Sequence, residues 1–501
     1  MPQTPQTPRP AAAGSSAAGS AALDPTAAVT GRTNTSHSTS AQPLITTLGA
    51  LRASGHLQKP VKVEIRDNLL ARLKSGEPRF PGIVGFDETV LPHVERALLA
   101  GHDFVLLGER GQGKTRLIRT ISGLLDEWTP VVDGCEINDH PYAPVCTRCR
   151  RLADELGDDL PVDWLNRDQR YGEKLATPDT SVGDLIGDVD PIKVAEGRTL
   201  GDPETVHYGL VPRFNRGIFS VNELPDLAER IQVSLLNVLE ERDVQIRGYA
   251  LRLPLDVLLI ASANPEDYTN RGRIITPLKD RFGAEVRTHY PLRLTDEIDL
   301  ISQEANLSAE VPGYLLDVVA RFTRLVREST AVDQRSGVSA RFAVAGAETV
   351  AASALRRAAL TGEADAVARV CDLPGIVDSL QGKVEFEVSE EGRERDVLVH
   401  LLRRAVAETF RARLGNADLA GLLARFDEGA TVETGELVSA ADLLKRVGQV
   451  AGLAKVLERL GDDGGENPGR AAAAIEFALE GLYLTRRLSK DEVPGRTVYG
   501  G

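Results

Sequence analysis

From Gly108 to Thr115 the chain reads Gly108-Glu109-Arg110-Gly111-Gln112-Gly113-Lys114-Thr115, the spacing G-x-x-x-x-G-K-[ST]. Each fixed position has a task in holding a polyphosphate. Gly108 and Gly113 let the backbone curl so that amide protons face the phosphates. Lys114 meets the β- and γ-phosphate charge, and Thr115 offers a hydroxyl to Mg2+. Glu109, Arg110, Gly111 and Gln112 supply the rest of the cradle. The flanks argue against a chance match: the short apolar run Phe104-Val-Leu-Leu precedes the glycines and a helical pattern from Lys114 to Leu125 follows them. The expected ligands are ATP and Mg2+.

Hydrolysis also needs an acid at the end of a neighbouring strand. Ile218-Phe-Ser-Val-Asn222-Glu223 supplies one, with Glu223 as the base that orients water toward the γ-phosphate. The competing role for Glu223 is a helix-capping carboxylate. Asn222 stands where a P-loop ATPase usually carries aspartate. Its neutral amide accepts from a metal-bound water without adding charge, which implies weaker Mg2+ affinity or more reliance on Thr115. After a third apolar run, Val257-Leu-Leu-Ile260, comes Ala-Ser-Ala-Asn264-Pro265, whose Asn264 amide suits the γ-phosphate and the attacking water, although Asn-Pro is also a common turn.

A different chemistry is suggested by Cys135-x4-His140-x5-Cys146-x2-Cys149. Three thiols and an imidazole make a four-coordinate Cys3His set for structural Zn2+, stabilising an insertion too small for its own core. The alternatives are a redox-responsive thiol pair and an uninvolved cluster with His140 solvated. With only 4 cysteines in 501 residues, no disulfide framework is expected.

The elements that must position these residues follow from periodicity. The runs at 104–107, 218–221 and 257–260 have the length of buried parallel strands, and Leu227, Ile231, Leu235, Leu236 and Leu239 repeat at helical spacing between the last two. The expected fold is α/β: a P-loop parallel sheet covered on both faces, a helical lid and a mainly helical C-terminal region. The boundaries expected are a disordered tail at 1–43, a helical extension at 44–79 and the nucleotide-binding domain at 80–292, with a cysteine-containing insertion at about 133–178. The lid follows at 293–360, and a helical region without a chemistry-bearing motif at 361–501. Alternation around Gly248 suggests a hairpin from Val244 to Leu253. The net charge of -14 argues against DNA or RNA wrapping as the main activity. No apolar run is long enough to span a membrane and the N-terminus lacks the order of a secretion signal, so a cytoplasmic protein is expected.

Several segments together carry a family likeness. Phe80-Pro-Gly-Ile-Val-Gly85, Asp184-Leu-Ile-Gly-Asp-Val-Asp-Pro191, Tyr208 to Glu223, Asn264-Pro-Glu266 and Leu278-Lys-Asp-Arg-Phe-Gly283, in this order, resemble the AAA+ ATPase subunit of magnesium chelatase and the related MoxR-type ATPases. The resemblance covers roughly 80–360. It implies that Arg281 is an arginine finger reaching the γ-phosphate held by the next subunit of a hexameric or similar ring, and that Arg341 in Ser-Ala-Arg-Phe is a lid arginine contacting the phosphates. It also implies that 184–216 and the hairpin at 244–253 are moving contacts with a partner. In magnesium chelatases that partner carries a von Willebrand A domain; this chain lacks the Asp-x-Ser-x-Ser motif of such a domain, so the partner is expected to be a separate protein. The resemblance implies ATP hydrolysis coupled to metal insertion or partner remodelling. A MoxR-like chaperone without a tetrapyrrole substrate and a non-hydrolysing ATP-binding scaffold are the rival readings.

Overall fold

Strands buried along their whole length form the centre of the nucleotide-binding region. The computed structural model describes residues 40–190, 192, 195, 205–240, 253–265, 273–334, 336–447, 453–461 and 467–501. Nearly all of the tail expected at 1–43, the hairpin at 244–253 up to its last residue, and part of the 184–216 segment lie outside the described residues.

In chain order, α1 (Leu48–Ala53), α2 (Val61–Ser75) and α3 (Val90–Leu99) lead into β1 (Phe104–Leu107), and α4 (Lys114–Ile121) follows the glycine loop. An excursion then runs through β2 (Trp128–Val132), α5 (Thr147–Leu156) and β3 (Val162–Asn166), with β2 and β3 antiparallel. Next come β4 (Tyr171–Leu175), α6 (Val182–Leu185), the antiparallel pair β5 (Gly187–Val189) and β6 (Val206–Tyr208), and α7 (Leu210–Arg213). The domain closes with β7 (Gly217–Asn222), α8 (Glu229–Glu240), β8 (Val257–Ala263), α9 (Thr276–Arg281) and β9 (Ala284–Arg287).

The central sheet has five strands in the order β4-β7-β8-β1-β9, every pair parallel. Because side chains alternate along a strand, Phe104 and Leu106 enter one core with Ile65, Leu69 and Ile118, while Val105 and Leu107 enter the other with Ile231 and Leu235. Helices α2, α3 and α4 therefore cover one face and α8 the other, as expected. The helical extension is part of the same body: Arg170, just before β4, pairs with Glu64 of α2 through two 2.7 Å hydrogen bonds, both side chains buried.

The segment 133–178 is only in part an insertion. Within it, β4 is the edge strand of the main sheet, paired with β7. Its sequence, Tyr-Gly-Glu-Lys-Leu, lacks an apolar run because an edge strand is half exposed, so periodicity did not reveal it.

Beyond Pro291 the chain is helical: α10 (Leu294–Glu304), α11 (Gly313–Glu328), α12 (Ala340–Thr361), α13 (Pro374–Leu380), α14 (Glu394–Leu414) and α15 (Ala420–Asp427). After β10 (Val432–Thr434) follow α16 (Ala440–Val447), α17 (Leu453–Arg459), α18 (Pro468–Leu484), β11 (Ser489–Val493) and β12 (Arg496–Gly500). A boundary at Leu360/Thr361 would cut one continuous apolar cluster, which runs from Ile301 to Tyr499. The small residues of α18 allow this close approach; a Cβ on Gly481 would lie 1.9 Å from the Phe410 ring. The last strands form a small antiparallel sheet in the order β10-β12-β11 at the end of a region expected to be mainly helical. Among the described residues no helix is long and apolar enough to cross a membrane.

Candidate nucleotide site

The glycine loop joins the carboxyl end of β1 to the first turn of α4. Gly111 and Gly113 sit at φ 73° and 79°, in the left-handed region, so the loop curls and its amides converge ahead of the helix N-terminus. A Cβ on Gly113 would meet nothing within 4 Å, whereas one on Gly108 would lie 1.9 Å from Thr288 Oγ1. The loop thus packs on the protein at its start and is open where a phosphate would lie. The Gln112 Oε1 accepts from Thr288 Oγ1 at 2.7 Å, pinning the loop to the residue after β9. Lys114 Nζ donates to the carbonyls of Gly108 and Glu109 and, at 2.8 Å, to Asn264 Oδ1. The ammonium and the Asn264 amide therefore meet at the carboxyl edge of β1 and β8. Thr115 is half-buried in the first turn of α4.

Asn222 ends β7, which pairs with β8, and Glu223 follows it. Ser262 on β8 links the two: its hydroxyl donates to Asn222 Oδ1 and accepts from the Glu223 amide, each at 3.3 Å. Glu223 is held at φ 57°, ψ 47°, a conformation that costs a non-glycine residue about 1–2 kcal/mol. It precedes a short 3-10 turn, yet its carboxylate makes no capping bond to that turn, contrary to the capping alternative. Ser262 was missed by sequence reasoning. Its signal lies two positions before Asn264, which puts the two on the same side of the β8 line.

The lid closes over the loop from Gly337 to Arg341. A Cβ on Gly111 would lie 1.8 Å from Ser339 Oγ, so the loop and the N-cap of α12 are in direct contact. Ser339 Oγ accepts from the Arg341 amide at 3.1 Å, and the Arg341 side chain is exposed in the first turn of α12. Tyr290 donates to the Arg110 carbonyl at 2.8 Å while Arg327 lies 4.3 Å from the Tyr290 ring centroid, and Arg327 in turn makes two bonds to buried Glu297. This chain of contacts ties the loop to α10 and α11. Arg281, by contrast, sits at the end of α9 and pairs with Glu240 at 3.0 Å and Asp280 at 2.9 Å; no described contact joins it to Lys114, Glu223 or Asn264 of its own chain.

The cysteine group departs from its expected ligand set. The ligand atoms of Cys135, Asp139, Cys146 and Cys149 all lie within 4.8 Å of one another. His140 is turned away: its Nδ1 accepts from the Tyr142 amide at 2.9 Å and its ring stacks on His56 at 5.5 Å. Burial, with Arg216 and His56 nearby, holds His140 down at about 3. The reason for the exchange is local. Asn138, just before Asp139, adopts φ 55°, and Asp139 and His140 are both buried but face different partners, a choice between neighbours that cannot be read from spacing. Hydrogen bonds from Cys146 and Cys149 hold the Cys135 thiol down at about 4, while burial pushes the Asp139 carboxyl up to about 7.

A five-stranded parallel sheet, a glycine loop opening a helix, and polar residues at the ends of the two adjoining strands define a P-loop AAA+ protein. Its relatives narrow the class. A family model described as the sigma-54 interaction domain matches residues 198–281. Over 247 residues the chain is 27% identical to the magnesium-chelatase subunit ChlI of Nostoc sp., covering 47% of this chain and 61% of the relative. Over 216 residues it is 31% identical to the magnesium-chelatase 38 kDa subunit of Acidiphilium rubrum, covering 41% of this chain and 57% of the relative. A solved complex of the BchI and BchD subunits of magnesium chelatase aligns at 21% identity, with a TM-score of 0.34, over 62% of this chain and 98% of that one. The protein has the P-loop AAA+ fold and is similar to these magnesium-chelatase subunits, and it spans about three fifths of the length of those curated relatives.

Proposed function

We propose that the protein hydrolyses MgATP at a site completed between neighbouring subunits of a ring, and that the cycle drives metal insertion into, or remodelling of, a separate partner protein. The observation that carries this reading is the convergence of Lys114 Nζ on Asn264 Oδ1 at 2.8 Å, at the end of the strand whose Ser262 accepts from the Glu223 amide at 3.3 Å. Bound MgATP supplies the phosphoanhydride bond and the metal charge. The loop amides from Gly108 to Gly113 and the Lys114 ammonium hold the phosphate oxygens, which take over from the two loop carbonyls now bonded to Lys114. Thr115 and Asn222 are assigned to the hydrated Mg2+. The Glu223 carboxylate orients water and takes its proton as the water oxygen bonds to the γ-phosphorus and the bond to the bridging oxygen breaks, giving ADP and phosphate. Asn264 hydrogen-bonds the γ-phosphate.

Arg281 completes the site of the adjoining subunit, a position consistent with its place at the end of α9, and Arg341 transmits nucleotide state to α12 through Ser339. The magnesium-chelatase names of the relatives favour metal insertion as the work performed. The experiment is Mg2+-dependent ATP hydrolysis and nucleotide binding by the full chain. Lys114→Ala is expected to lose tight MgATP binding, and Glu223→Gln to keep binding while losing hydrolysis. Equal residual turnover in the two variants would refute these roles.

A further inference from the structure

We propose that Cys135, Asp139, Cys146 and Cys149 form a closed, structural zinc site, with Asp139 rather than His140 as the fourth ligand. The four ligand atoms lie within 4.8 Å of one another, and three of the four residues are buried. A tetrahedral zinc ion with three sulfurs and one oxygen sets its ligands roughly 3.5–3.8 Å apart, so binding requires a contraction of about 1 Å at most. The backbone is already arranged for thiolates. The Cys149 amide donates to Cys146 Sγ and the Asp139 amide to Cys135 Sγ, both at 3.3 Å, and Cys146 is the N-cap of α5.

An independent observation comes from the carboxylate. Oδ2 of Asp139 accepts from the Val145 and Cys146 amides at 3.0 and 2.9 Å, which fixes the plane of the group. Oδ1 is buried and, among the described residues, has no hydrogen-bond partner, in a side chain only 1% exposed. Leaving such an oxygen without a donor is unfavourable, because its desolvation is not repaid by any bond. A cation held by the three thiolates supplies the missing partner. A disulfide between two of the thiols would not, since it leaves the carboxylate oxygen as it is.

Charge sets the identity of the ion and the need for neighbours. Three thiolates select a soft, tetrahedral divalent ion, for which Zn2+ is the ordinary choice. Four anionic ligands around Zn2+ leave a net double negative charge in a mostly buried place, which needs compensation. Arg148 reaches toward Cys149 Sγ at 3.9 Å, and Arg216 lies behind the loop with an N–H on the Asn138 carbonyl at 3.3 Å. Four protein ligands leave no open position, so the role is to hold structure. What it holds is specific: Asn138 Nδ2 donates to the Arg213 carbonyl at 2.7 Å and Asn215 Nδ2 to the Ile137 carbonyl at 3.1 Å, so the metal loop braces the segment that leads into β7 and Glu223.

The test is metal content and ligand identity in the full chain, purified reduced and without chelator, then stripped and reconstituted with Zn2+ or Co2+. About one equivalent of zinc per chain is expected. Cys146→Ser with Cys149→Ser should hold none, Asp139→Ala should bind at least about tenfold more weakly, and His140→Gln should keep the full equivalent. The Co2+ form of the unaltered protein should show the intense visible bands of tetrahedral coordination together with thiolate charge-transfer absorption, a readout that does not depend on any variant folding. The proposal is overturned by negligible zinc after reconstitution, by weak octahedral Co2+ bands, or by loss of zinc in His140→Gln with retention in Asp139→Ala. A thiol count showing a disulfide among the three in the purified protein would also overturn it.

Discussion

Replacing Gly111 by alanine should disconnect the lid from the phosphate loop without removing any charged side chain. The backbone there sits at φ 73°, so a side chain is strained by about 1–2 kcal/mol before any contact is considered. The added Cβ would lie 1.8 Å from Ser339 Oγ, 2.5 Å from its Cβ and 2.8 Å from its Cα. Ordinary van der Waals contact begins at 3.4 Å, so either the loop or the start of α12 must retreat by about 1.6 Å. If Ser339 yields, its bond to the Arg341 amide is lost as well, worth about 1 kcal/mol for a helix cap. Misplacement on this scale lowers turnover by about 100-fold where groups must be held for in-line chemistry. Steady-state ATP hydrolysis and thermal unfolding, measured on the same preparations, give both numbers. Ser339→Gly removes the two nearest atoms but leaves the backbone of residue 339 against the added methyl, so the double variant should regain part of the lost rate, with a coupling of about 1 kcal/mol between the sites. Unchanged hydrolysis in Gly111→Ala, or strict additivity in the double variant, would refute the contact as the link between loop and lid.

Three further outcomes are expected. Arg281→Ala should lower turnover with nucleotide affinity largely kept, and mixing it with Glu223→Gln subunits should restore activity if the arginine serves the adjoining site; no rescue under demonstrated subunit exchange refutes a shared site. Asn222→Asp retains an acceptor for the Ser262 hydroxyl and adds a charge facing the metal, so an Mg2+ titration of hydrolysis should show a severalfold lower half-maximal concentration; an unchanged or higher requirement would show that residue 222 does not serve Mg2+. Glu64→Gln removes the partner of the buried Arg170 guanidinium and should destabilise the nucleotide-binding region by about 3–5 kcal/mol in chemical denaturation, detectable as a lower midpoint at unchanged slope; an unshifted midpoint refutes the pair's contribution.

Residues that must touch one another through the backbone of a single turn were legible from the chain alone. The glycine loop declares itself because curling around a phosphate demands glycine at fixed intervals and a lysine and hydroxyl directly after. Strands β1, β7 and β8 declare themselves because a strand buried on both faces is mostly apolar along its length. Their order in the sheet, with β7 and β1 on either side of β8, is what brings Glu223, Asn264 and Lys114 together, and it depends on pairings that no local pattern encodes. Edge strand β4 was invisible for the opposite reason, since a half-exposed strand carries a mixed sequence.

The same distinction separates the lid and the cysteine loop. Ser339 and Gly362 cap the two ends of α12 locally, but that Ser339 presses on Gly111 follows from how α10, α11 and α12 pack around Tyr290 and Arg327. Likewise the spacing of three cysteines is a property of the chain, whereas the packing of two adjacent buried residues, Asp139 among the thiols and His140 on the His56 ring, appears only in the fold. Residue types and intervals name the chemistry available, because they act through covalent connection. Long-range packing selects which of those groups meet, because a backbone torsion or a sheet pairing can exchange adjacent residues between inside and outside without changing a letter of the sequence.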